Sequence, residues 1–220
     1  MFRLFKFLSI IVLCLISITA VLSLLAPEKL VDTYNQARPQ LINGGGADCF
    51  DELAKNQVKF RRLGNMIENS CLVKDAVRIE AFPNTKLSGP IILNCRAALA
   101  TQSWFEKIKA KNITHFGTYN CRTMRGSGVA SEHSFGTAID IASINGSSVK
   151  RHWQEKSDSG DYIRRAARLA CDHFSNSITP DHNALHHDHL HLDMGYGTSC
   201  LPPFVQRLEK LTISILGRFL

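Results

Sequence analysis

Val77 to Ala81 (VRIEA) and His189 to Met194 (HLHLDM) alternate apolar and polar residues, as half-buried strands do. Phe116 to Arg122 reads as a further strand. So does Ala138 to Ile144 (AIDIASI), which is closed by Asn145-Gly146, a strong turn signal. Between Ile91 and Ile108, Leu93, Ala97, Leu99, Ala100, Trp104 and Ile108 recur at near-helical spacing and predict a buried helix. Asp161 is the expected N-cap of a second helix reaching Phe174, with Ile163, Ala166, Ala167, Ala170 and Cys171 on one side. Phe50 to Met66 is mixed, with a weak helical period. Pro83-Asn84 is a turn and Gly126-Ser127-Gly128 a loop. Strands and helices mix without a regular βαβ alternation, so the expected class is α+β.

The two ends differ from this middle. Arg3 and Lys6 precede an uncharged, mostly apolar run from Phe7 to Leu25, long enough to nearly cross a hydrocarbon layer about 30 Å thick. Positive charge ahead of such a run predicts a cytoplasmic N-terminus and export of the chain beyond the run. Residues 1–26 are then a retained anchor or a signal peptide cleaved near Ala20; the length of the run favours the anchor. Cys14 lies inside the run behind the large Val12 and Leu13, which argues against a lipoprotein-type cysteine. Residues 27–46 read as a flexible linker: polar, with two prolines, ending in Gly44-Gly45-Gly46. The folded domain is expected over 47–200. Residues 201–220 form an amphipathic tail, with Phe204, Leu208, Leu211 and Ile215 on one stripe. That stripe either packs on the domain or lies on a membrane surface.

Composition narrows the class. A chain of 220 residues that is 45% hydrophobic holds enough apolar material for an ordinary core. Its formal charge of +7 favours an anionic surface or substrate. Nucleic acid is not expected, because the chain looks exported and has no dense Lys/Arg cluster. Besides Cys14 there are six cysteines: Cys49, Cys71, Cys95, Cys121, Cys171 and Cys200. An even number in an exported domain predicts disulfides. No C-x-x-C pair exists, which disfavours a thiolate zinc site of the ribbon or finger type.

The candidate chemistry sits in two segments, SEHSFGTAID (131–140) and HHDHLHLD (186–193). Zinc accepts imidazole nitrogen and carboxylate oxygen, and a catalytic site uses three protein ligands with a place left for water. His133 precedes a glycine-containing turn and Asp140 lies on the strand beyond it, so the chain can bring both to one point. His189 and His191 share a strand face, because side chains alternate with period two. His115, His152 and His173 are scattered and read as structural or exposed. His182 reads as a loop residue, and His186 and His187 as cleft-lining.

These segments, with TYNCR at 118–122, resemble the bacterial extensin-like C-terminal family over roughly Cys49 to Cys200. That family looks in turn like the D-alanyl-D-alanine metallopeptidases, the murein endopeptidases and the zinc domain of hedgehog proteins. The shared pattern is H-x(6)-D with a late H-x-H, filled here by His133, Asp140, His189 and His191. The resemblance implies a small antiparallel sheet flanked by helices, linked by disulfides, with a Zn2+ cleft whose ligands are His133, Asp140 and His191. It implies a base for the attacking water: Asp188, at the acidic position of a D-x-x-H pattern, or His189. Arg122 resembles an arginine that holds the scissile carbonyl oxygen as charge develops, and otherwise reads as a surface ion-pair residue. Ser131 either binds a substrate carboxylate or shapes the turn before His133. Asp193 is at most a supporting partner. The cysteines are expected to pair in chain order, Cys49–Cys71, Cys95–Cys121 and Cys171–Cys200, on the family's similar spacing and the lower entropy cost of local closure.

Together these features predict a zinc peptidase acting on peptidoglycan stem peptides or a related wall peptide. It would be held on the periplasmic side of the inner membrane by its N-terminal segment, or secreted if that segment is cleaved. The rival expectation is a non-catalytic, metal-stabilised wall-binding module, since a fold does not fix a function.

Overall fold

The computed structural model describes residues 27–197 and 199–200. The expected N-terminal membrane segment and the amphipathic tail over 201–220 lie outside them. Among the described residues no helix is long and apolar enough to cross a membrane.

The described chain separates into two units. One comprises residues up to Leu41 together with Thr123–Ala130; the other comprises Ile42–Arg122 and the chain from Ser131 onward. In the first, the stretch expected as a flexible linker is a helix, α1 (Pro27–Leu41). Pro27 occupies the first helical position, where a missing N–H costs nothing, and Pro39 falls in the last turn. Asn35 of α1 bonds both the Gly128 carbonyl (2.9 Å) and the Ala130 amide (2.7 Å).

The second unit carries the core and the candidate site. Phe50 to Met66 divides into helix α2 (Gly46–Lys55) and strand β1 (Lys59–Glu68). The alternation at Val77–Ala81 belongs to a longer strand, β2 (Cys71–Ala81), joined to β1 through Asn69-Ser70. Both turn residues have positive φ, as a tight two-residue hairpin requires. The helix expected from Ile91 starts later. Ile91–Asn94 is strand β4, and α3 runs Cys95–Lys107. Asn94 separates them by capping: its Oδ1 accepts from the Ala97 amide at 3.0 Å. The strand expected at Phe116–Arg122 is displaced toward the N-terminus as β5 (Asn112–Gly117), and residues 118–122 form a loop. Strand β6 (Ala138–Ile144) has the expected bounds and ends in the Asn145-Gly146 turn, with φ of 52° and 82°. Short β3 (Lys86–Leu87) and β7 (Ser147–Ser148), the one-turn helix α4 (Val149–His152), α5 (Asp158–Ala170), β8 (Asn176–Ile178) and β9 (Leu190–Asp193) complete the described residues of the unit. Ser157, not Asp161, caps α5.

The fold is α+β, with two sheets where one was expected: β1-β2-β4, and a six-stranded sheet ordered β3-β5-β6-β9-β8 with β7 beside β6. All pairings are antiparallel except β3 with β5. One core joins the sheets and helices. Val77, Ile79, Ile91 and Leu93 meet Trp104 and Phe105 of α3, Ile139 and Ile141 of β6, Ile163 and Ala166 of α5, and Leu190 and Leu192 of β9. The Trp104 indole N–H donates to the Ala166 carbonyl (3.0 Å), so the largest core side chain also satisfies its one polar group.

Three disulfides cross the unit: Cys49–Cys95, Cys71–Cys121 and Cys171–Cys200. The expected chain-order pairing holds only for the last. Loop-closure cost grows slowly with length, so separations of 46 and 50 residues carry little penalty, and tertiary packing decides the partners.

Candidate metal centre

Period-two alternation places the site. On β6, Ile139 and Ile141 point into the core, so Asp140 points to the opposite face. On β9, Leu190 and Leu192 do the same, leaving His191 and Asp193 on the face of Asp140. The register sets Asp140 directly across from His191. His191 Nδ1 lies 2.8 Å from Asp140 Oδ1.

His133 arrives from the short 3-10 turn Glu132–Phe135. Gly136 ends that turn at φ 65°, and a Cβ there would stand 2.7 Å from Val73 Cγ1 and 3.0 Å from the Asn94 amide nitrogen. Only glycine permits both this left-handed conformation and the close approach to β2 and β4. His133 is 3% exposed. Its Nε2 lies 3.1 Å from Asp140 Oδ2 and 3.2 Å from His191 Nδ1. The three residues thus present ligand atoms within 4.8 Å of one another.

The far side of each ring decides which atom is a lone pair. His133 Nδ1 faces the Thr118 carbonyl, which can only accept, so that nitrogen carries the proton and Nε2 is left as an acceptor. His191 Nε2 donates to Asp193 Oδ2 at 3.0 Å, which leaves Nδ1 as the acceptor. Asp193 is buried and held by the Asn176 side chain (2.8 Å) and the Gly195 amide (2.6 Å). Two imidazole lone pairs and a carboxylate therefore converge at one point, a donor set that suits a borderline cation such as Zn2+.

In the metal-free protein a second proton takes the place of a cation at His191. Burial works against the His191 imidazolium, but the Asp140 and Asp193 carboxylates outweigh it and raise the pKa to about 9. Burial also works against the Asp140 carboxylate, yet the adjoining His133 and His191 rings hold its pKa far below the ordinary range. The pocket attracts positive charge strongly.

The other expected residues fall in distinct places. His189 is largely buried. Its Nε2 approaches Asp140 Oδ1 (3.6 Å) and its Nδ1 bonds Asp188 Oδ1 (2.8 Å). That hydrogen bond from His189 is the leading cause of a lowered Asp188 pKa. Phe116, exposed on β5, meets the His189 ring edge-on. His186 packs its ring against both His189 and His191; burial first, and then those two neighbours, depress its pKa to about 4. His187 bonds the Ala184 carbonyl, and the His182 ring meets His186 edge-on. The Ser131 hydroxyl accepts from the His133 amide (3.4 Å), which is the turn-shaping reading of that residue. The Arg122 backbone is locked to the same turn through Ser134 Oγ and the Ser131 amide, and its side chain is exposed. His115, His152 and His173 lie in other contacts: His115 bonds the Gly89 carbonyl, and His152 accepts from the Ser148 amide. Burial depresses the pKa of His173. Sequence reasoning did not find Thr118 or Asn176. One acts through its backbone, and the other supports Asp193, which itself only orients the candidate ligand His191.

No curated protein and no solved structure matched the chain. A family described as extensin-like protein C-terminus matches residues 47–201, a span that holds both candidate segments and all six paired cysteines. The chain belongs to the extensin-like protein C-terminus family.

Proposed function

We propose that this protein is a zinc-dependent peptidase that cleaves peptidoglycan stem peptides or a related wall peptide, akin to the D-alanyl-D-alanine metallopeptidases and murein endopeptidases. The observation that carries the reading is the convergence of His133 Nε2, Asp140 and His191 Nδ1, each imidazole held in the ligand tautomer from behind. Zn2+ held by these three residues would supply a Lewis acid that polarises the scissile carbonyl and makes water a nucleophile near neutral pH.

The chain's own residues take the proton steps. Asp188 accepts from His189 Nδ1, so Nε2 carries the lone pair and faces the triad. His189 Nε2 takes the proton of the attacking water and returns it to the leaving amine. Asp188 acts through His189 as a positioning carboxylate. Of the two bases the sequence allowed, this geometry supports His189. Arg122, whose backbone is bonded to the His133 turn, offers an exposed cation for the developing oxyanion. No substrate role is proposed for Ser131, whose hydroxyl caps the turn.

Three disulfides suit an oxidising compartment, which supports placement outside the cytoplasm, with the N-terminal apolar run as anchor or cleaved signal. The test is incubation of the metal-loaded protein with purified muropeptides, followed by mass analysis. A defined peptide-bond cleavage, lost when metal is removed, is expected. Binding without any cleavage would replace this reading with that of a wall-binding module.

A further inference from the structure

Residues 118–122 have no regular secondary structure, yet they clasp the turn that carries His133. The Thr118 carbonyl accepts from His133 Nδ1. The Asn120 amide donates to the His133 carbonyl at 3.2 Å. Ser134 Oγ accepts from the Arg122 amide (3.0 Å) and donates to the Arg122 carbonyl (2.6 Å), and the Ser131 amide donates to that same carbonyl (3.0 Å). The clasp thus sets the tautomer of one ligand and the root of Arg122.

On its other side the clasp is held to the tip of the β1–β2 hairpin. Tyr119 donates to the Glu68 carbonyl at 3.3 Å, an exposed hydrogen bond worth little by itself. The covalent tie is Cys71–Cys121, which joins the first residue of β2 to the residue before Arg122. Cys71 and Cys121 are both partly exposed. Cys49 and Cys95 are buried at 3% and 0% exposure, so their bridge is closed to an external thiol. Cys171 and Cys200 are also partly exposed, but neither lies in a segment bonded to His133.

We propose that the Cys71–Cys121 disulfide is a redox latch on the metal centre. Intact, it holds residues 118–122 against the His133 turn; opened by a dithiol, it releases the clasp and weakens metal binding. In the opening step a thiolate of the dithiol attacks one cysteine sulfur and forms a mixed disulfide. The second thiolate then displaces it. The dithiol is oxidised to its disulfide by two electrons, and Cys71 and Cys121 leave as thiols carrying two protons. The inference rests on reading His133, Asp140 and His191 as a metal site.

The test uses full-length protein treated with graded dithiothreitol, alkylated, freed of reagent, and mapped by mass for the cysteines that opened. Zn2+ affinity is then measured by chelator competition, and amide exchange is followed at Asn120 and Arg122. Once Cys71 and Cys121 are alkylated while Cys49–Cys95 and Cys171–Cys200 remain bridged, affinity should fall by about 10–100-fold, as for loss of an outer partner of a ligand. The two amides should exchange faster. A C71S/C121S variant that retains its circular-dichroism spectrum should show the same loss without any reagent. Unchanged affinity in both preparations, with the oxidised protein binding Zn2+ normally, overturns the latch alone. Failure of the oxidised protein to bind Zn2+ overturns the metal-centre reading and the latch with it.

Discussion

Asp193 Oδ2 accepts a hydrogen bond from His191 Nε2 at 3.0 Å, two residues along the same strand face. The carboxylate is buried, and its other oxygen is occupied by Asn176 and the Gly195 amide. It does not reach the converging ligand atoms; it decides which nitrogen of His191 faces them. Asp193→Ala should therefore lower Zn2+ affinity by about 10–100-fold while leaving the three ligands in place. Chelator competition on the folded variant measures this. Affinity equal to that of the parent protein would show that His191 is oriented without Asp193.

The geometry around His189 separates two roles that the sequence left joined. His189→Ala should retain Zn2+ and slow cleavage by about 10²–10⁴-fold, as expected for loss of a general base. Asp188→Asn should also retain Zn2+ but lose less activity, because it acts through the imidazole. Paired zinc content and cleavage rates decide. A larger loss in Asp188→Asn than in His189→Ala would reverse the assignment.

If His191 is a metal ligand as proposed, its raised pKa would make Zn2+ binding depend on pH. Below about pH 9 the metal-free imidazole holds a second proton, drawn by Asp140 and Asp193 against the cost of burial. Zn2+ must displace that proton, so affinity should rise by about tenfold per pH unit toward pH 9 and then level off. The same group affects the stability of the metal-free protein. Its folded pKa lies above the unfolded value of 6.5, so its contribution is complete below 6.5 and is lost as pH rises through about 9. Thermal melts in excess chelator should show this alkaline loss, and melts with Zn2+ should not. A metal-free melting temperature that is flat between pH 6.5 and 10 would contradict the pairing.

How much of the fold and the site was legible in the chain depends on whether the signal was local. β6 was readable to its ends because apolar residues at 139 and 141 alternate with Asp140 and an Asn-Gly turn closes the strand. The candidate ligands came from the resemblance of SEHSFGTAID and HHDHLHLD to the extensin-like family; strand alternation added only that His189 and His191 share a face. Other features depended on contacts distant in sequence. A polar, proline-bearing stretch reads as linker, yet both prolines of α1 sit in its end turns, where a helix tolerates them. Asn94 carried a cap signal inside an apparently continuous helical period, and strand pairing with β2 divided that period in two. The disulfide partners were set by sheet and helix packing. Entropy of closure discriminates weakly among such pairings.

Gly136 offers a test of how firmly the His133 turn is seated. Gly136→Ala forces a left-handed φ of 65° on a residue with a Cβ and drives that atom into Val73 and the Asn94 backbone. The expected cost is about 1–3 kcal/mol, read from denaturant unfolding, with weakened Zn2+ binding. Full stability and full affinity together would mean that the turn is looser than its contacts indicate.

The most direct measurement is elemental analysis of the purified protein beside His133→Ala and His191→Ala. The parent protein should contain about one Zn2+ per chain, and each variant should lose most of it while keeping its circular-dichroism spectrum. Full occupancy in either variant, or no metal in the parent after loading, would contradict the assignment of His133, Asp140 and His191 as the metal centre.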